Sequence, residues 1–132
     1  MPVRAIRGAI TVDEDNAAQI QLHTTTLLEE IYRANGLSHD DVISVVFSAT
    51  PDLKSIPPAV AGRTFGMTEI PLLCVQEMAV DGALGLCVRA MLHVETDKPR
   101  AEIVHSFLRG ATVLRPDLAG DTTSAGNAVD PK

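Results

Sequence analysis

The chain has 132 residues, 45% of them hydrophobic and 21% charged, with a net charge of -6, three Phe, one Tyr and no Trp. That length holds one domain with a small core, which contact with further copies would enlarge. The acidic balance and the lack of rings for base stacking exclude a nucleic-acid binder, and no apolar run is long enough to cross a membrane.

Residues Val3 to Val12 read as a strand, rich in β-branched side chains and interrupted by Gly8. Asp13, Asp15 and Asn16 are then N-cap candidates. From Ala17 to Asn35 the apolar residues Ile20, Leu27, Leu28 and Ile31 recur at helical spacing, and Gly36 stands where a C′ glycine belongs. Ser38-His39-Asp40-Asp41 has the form of a capping box and predicts a helical turn. Val42 to Ser48 predicts a buried strand, and Thr50-Pro51-Asp52 a loop. Pro57-Pro58 opens a short helix that reaches Phe65, closed by Gly66. Pro71 to Gln76 predicts another buried strand, 81–85 a turn, and Cys87 to Thr96 a further strand. A short helix over Pro99 to Phe107 and a last strand over Ala111 to Leu114 complete the order. Residues 119–132 are small and polar without periodicity and predict a flexible tail behind a domain of residues 1–118. The expected class is α+β, a mixed sheet with helices on one face. Such a sheet has edges, and pairing around a symmetric trimer is one way to hide them.

Cys74 and Cys87 have no metal-type spacing, which together with an N-terminus lacking a signal-peptide core predicts a reduced, cytoplasmic protein. The motifs of serine hydrolases, P-loops and dinucleotide folds do not occur. His93 and Glu95 share one strand face but lack a third ligand, so they read as surface groups and no metal site is expected. Cys74 reads as a small apolar strand residue.

The charges inside apolar strands are more informative. Arg7 lies within the first strand, Glu77 ends the third, and Arg89 falls between Cys87-Val88 and Ala90-Met91-Leu92. A charge there is costly unless paired or functional. A structural Glu77–Arg89 ion pair and a catalytic role fit this pattern equally well. Eight of the eleven basic residues are Arg. Arg suits planar recognition of carboxylate or phosphate, although a GC-rich genome also enriches it. Arg63 in the short helix and Arg115 after Leu114 stand at element ends, where sites form.

Four segments resemble the small trimeric chorismate mutases of the AroH class. These are Val3-Arg4-Ala5-Ile6-Arg7-Gly8-Ala9-Ile10-Thr11-Val12, Ser48-Ala49-Thr50-Pro51-Asp52-Leu53, Cys74-Val75-Gln76-Glu77-Met78 and Leu114-Arg115-Pro116-Asp117-Leu118. They occur in order and at nearly colinear spacing over residues 1–118. The resemblance implies a pseudo-α/β-barrel homotrimer with helices outside the sheets and active sites between subunits. It also implies a cofactor-free isomerase acting on chorismate. Arg7, Glu77 and Arg89 would be the catalytic set. Cys74, Phe107 and Leu114 would join them around the substrate, Arg63 would come from the neighbour's side, and Arg115 would lie at the rim. Phe107 stands where members often carry Tyr, and Pro57 and Val60 where some carry Phe and Lys. A trimeric imine deaminase or carboxylate-binding protein of the RidA type is the alternative.

Overall fold

The computed structural model describes residues 1–114 of the chain. Arg115 and the tail expected over 119–132 lie outside the described residues. Five strands form one mixed sheet: β1 (Val3–Thr11), β2 (Val42–Ala49), β3 (Leu72–Gln76), β4 (Cys87–Glu95) and β5 (Ser106–Leu108), in the order β3-β2-β4-β1-β5. The central strand β4 runs antiparallel to both β1 and β2, while β3 and β5 add in parallel at the two edges. Two helices, α1 (Ala17–Asn35) and α2 (Ala59–Phe65), follow the first two strands.

Helix α1 forms where the periodicity places it. Among the three cap candidates Asn16 acts: its side-chain oxygen accepts from the Gln19 N–H at 2.8 Å. Asp15 instead accepts from the backbone of Lys54 and Ser55 at 3.0 and 3.1 Å. These bonds hold its carboxyl below the usual range and tie the loop after β2 to the start of α1. Gly36 closes the helix in the left-handed conformation, φ 62°.

Alternation along the strands sorts the side chains onto two faces. Ile6 and Ile10 of β1, Val45 and Phe47 of β2, and Val88, Leu92 and Val94 of β4 join Leu27, Leu28 and Ile31 of α1 in the main core. The close approach of α1 to β1 requires Gly8. A Cβ there would sit 2.7 Å from Ile31 Cδ1, 3.0 Å from Leu27 Cδ1 and 3.2 Å from the Ser106 carbonyl oxygen. Gly8→Ala is therefore expected to lower stability by about 1–3 kcal/mol through overpacking. Thermal melts check this, and an unchanged Tm would show that the two elements separate freely.

The opposite face carries Arg7, Val46, Ser48, Leu73, Val75, Arg89, Met91 and Phe107, placed together by the register. Neither α1 nor α2 covers it. Leu73 is 58% exposed and Val75 46%. The sequence marks β3 as buried, and the structure corrects this: only Leu72 and Cys74, on the helix side, pack on the core.

The C-terminal part differs most from expectation. Residues from Pro99 do not form a helix. A single 3₁₀ turn at Arg100–Glu102 leads to the short strand β5. The strand expected over Ala111 to Leu114 is also absent, and Arg109–Val113 form a 3₁₀ helix. The reason is local: Arg109 has φ 54°, and the Gly110 N–H donates to Thr11 Oγ1 at 2.9 Å, which turns the chain out of the sheet. This helix covers one end of the open face, where Ala9, Cys87, Phe107, Ala111 and Leu114 make a second small core.

Candidate active site

The open face holds a cleft of about 550 Å³ whose lining includes Arg7, Ser48, Val75, Glu77, Arg89 and Phe107. Each charge arrives on a different strand. Arg7 is mid-β1, and its backbone N–H donates to His105 Nδ1 at 3.0 Å. Its guanidinium carbon lies 5.6 Å from the centre of the Phe107 ring, a cation–π distance. Glu77 follows β3, its N–H donating to the Ala49 carbonyl at 2.9 Å. Arg89 is the third residue of β4, opposite Ala9 on one side and Ser48 on the other.

Arg89 and Glu77 form an ion pair at 3.8 Å between Nε and Oε1, with side chains 16% and 19% exposed. That separation is too long for a hydrogen bond. Oε1 of Glu77 instead accepts from Ser48 Oγ at 2.9 Å. The Nε of Arg89 is buried and has no hydrogen-bond partner among the described residues. The pair is a charge contact that leaves a donor of the guanidinium unused. A buried donor in that state costs on the order of 1–3 kcal/mol unless something supplies an acceptor.

Ser48 is the polar member of the cleft that sequence reasoning missed. Its signal was present but weak: a polar residue in the apolar run Val42–Ala49, in register with Arg89. Phe107 is buried at 3% exposure and forms a wall of the cleft. Leu114 packs behind it in the second core and does not line the cleft.

Cys74 and Arg63 are not brought to this cleft within one chain. Cys74 points to the helix side of β3 and lines a separate hollow with Leu53, Pro57 and Pro58. Arg63 is exposed on α2. The other cysteine, Cys87, is buried beside Arg89, and burial pushes its thiol up to about 11, so it is protonated at neutral pH and a poor nucleophile. The cleft lining contains neither cysteine nor histidine.

Fold and cleft together define a class: a small α+β protein that gathers guanidinium and carboxylate groups in a cleft on an open sheet face. The sequence pattern of chorismate mutase type I matches residues 3–118. The protein called chorismate mutase AroH in Bacillus subtilis (strain 168) is 44% identical over 120 residues, 90% of this chain and 94% of the relative. Its namesake in Thermus thermophilus is 44% identical over 117 residues, 88% of this chain and 96% of the relative. Among solved structures, a chorismate mutase from Clostridium thermocellum superimposes with a TM-score of 0.83 at 46% identity, covering 84% of this chain and 99% of that one. The chain belongs to the chorismate mutase type I family, a family of isomerases. This membership does not favour the imine-deaminase alternative.

Proposed function

We propose that the protein converts chorismate to prephenate in the cleft of Arg7, Glu77 and Arg89, within a cytoplasmic homotrimer that needs no metal or cofactor. The observation that carries the site assignment is the unused, buried Nε of Arg89 beside a carboxylate held by Ser48. The rearrangement is unimolecular. An ether C–O bond breaks as a C–C bond forms, and no proton, nucleophile or redox partner takes part. Catalysis then consists of holding the folded conformer of the dianion and stabilising the charge that develops. Arg89 donates to the ether oxygen as it becomes negative. Arg7 grips the side-chain carboxylate. Glu77 accepts from the ring hydroxyl and orients Arg89. The locally cationic cleft attracts a dianion despite the net charge of -6.

The trimer rests on two observations. Apolar side chains of the open face, Leu73, Val75 and Met91, are exposed in the single chain, as an interface between copies requires. Arg63 and Cys74 lie away from the cleft of their own chain, so they reach substrate only if a neighbour presents them. Arg115 is assigned to the rim of the site by resemblance. Sedimentation is expected to give three chains per particle, and a fully active monomer would refute the shared site. Purified protein is expected to deplete chorismate absorbance at the same rate before and after dialysis against EDTA. Activity lost to EDTA and restored by a divalent ion would overturn the cofactor-free reading.

Arg7→Ala is expected to act chiefly through KM, because a carboxylate contact exists in both the ground and transition states. Steady-state kinetics decide this: a kcat loss with unchanged KM would move Arg7 from binding to chemistry.

A further inference from the structure

The turn after β2, Ala49–Asp52, has no part in the chemistry described so far, yet it joins the two strands that carry the reacting charges. β2 lies between β3 and β4 in the sheet. On one side of the turn, the Ala49 carbonyl accepts from the Glu77 N–H. On the other, the Thr50 N–H donates to the Cys87 carbonyl at 3.0 Å, and the Cys87 N–H donates to Thr50 Oγ1 at 3.0 Å. Thr50 Oγ1 in turn donates to Asp52 Oδ1 at 2.5 Å. Both carboxylate oxygens of Asp52 accept from the Leu86 N–H, at 3.1 and 2.9 Å.

Leu86 is held in the left-handed region at φ 49°. A leucine there is strained and stays only if its surroundings fix it. Its carbonyl accepts from Val12 at 2.8 Å, and its N–H is fixed by Asp52. The carboxylate also lies against the neighbouring backbone: a Cβ on Gly85 would meet Asp52 Oδ2 at 2.6 Å. Leu86 is three residues before Arg89, and the loop between Glu77 and Leu86 begins and ends on this one turn. We infer that Asp52 is a positioning residue for the Glu77–Arg89 pair, clamping the backbone entry to β4 so that the guanidinium and the carboxylate keep their separation across β2. This inference rests on the mutase reading of Arg89 given above.

Asp52 is an exposed residue, so its truncation spares the core and Asp52→Ala is expected to fold. Small misplacements of catalytic groups are expensive. Asp52→Ala is therefore expected to lower kcat on the order of tenfold with little change in KM. Asp52→Asn keeps one acceptor for the Leu86 N–H and should retain most of the rate. The decisive experiment is a double-mutant cycle with Arg89→Lys, scored by kcat and KM with melting curves on all variants. If Asp52 acts through Arg89, Asp52→Ala costs less than about twofold in the Arg89→Lys background, where no planar donor remains to be placed. An equal penalty in both backgrounds overturns the inference, as does a lowered Tm with kcat unchanged. A near-normal kcat for Arg89→Lys alone would instead overturn the mutase site itself, so the two failures are distinguishable.

Discussion

Arg89→Lys is expected to give a folded, trimeric protein that still binds substrate but turns it over about 10²–10³-fold more slowly. The charge survives this substitution and still attracts Glu77, although the Nε that lies 3.8 Å from its carboxylate is lost. What disappears is the planar donor set. The buried Nε has no lysine equivalent, and a single ammonium cannot address two sites in one plane. A purely structural Arg89 would lose stability and keep its rate. A catalytic Arg89 loses rate and keeps most of its stability. Steady-state kinetics with a melting curve separate the two outcomes, and a well-folded variant with near-normal kcat would make Arg89 structural.

The largest expected stability effect lies outside the cleft lining. Asn35, the last residue of α1, is 3% exposed. Its Oδ1 accepts from the Val104 N–H at 2.8 Å, and its Nδ2 donates to the carbonyls of Val104 and Ile31 at 2.9 and 3.0 Å. This one amide replaces a strand partner for the segment that leads into β5. Asn35→Ala leaves the N–H and C=O of Val104 without partners, at on the order of 1–3 kcal/mol per group. A loss of about 2–4 kcal/mol and a Tm lower by roughly 10 °C are expected. A Tm within a few degrees of the parent would show that water satisfies both groups. Because β5 carries Phe107, the same variant should weaken the wall beneath Arg7.

Local signals explain what was legible in the sequence. The period of Ile20, Leu27, Leu28 and Ile31 fixes α1, with Asn16 and Gly36 as its caps. Strands β1 and β2 follow from their β-branched runs, and β3 and β4 from apolar runs. The charges Arg7, Glu77 and Arg89 stand out because they interrupt such runs, and they do share one cleft. Non-local effects explain the rest. β5 has three residues and exists only through its parallel pairing with Gly8, Ala9 and Ile10. The turn of Arg109–Val113 depends on Thr11, almost a hundred residues earlier in the chain. The apolar run of β3 does not reveal that alternate residues face an uncovered side, because an interface between copies and a core have the same composition. Ser48 is neutral, so no charge flagged it. Cys74 joins the site through family resemblance, and Arg63 also through its place in the short helix, but one chain does not bring them to the cleft.

In the proposed mechanism the cleft rearranges chorismate to prephenate without moving a proton. Proton NMR of chorismate incubated with the purified protein in heavy water tests it most directly. Prephenate as the sole product, free of deuterium at its ring carbons, is the expected result; no conversion, products of ether cleavage, or deuterium at a ring carbon would contradict it.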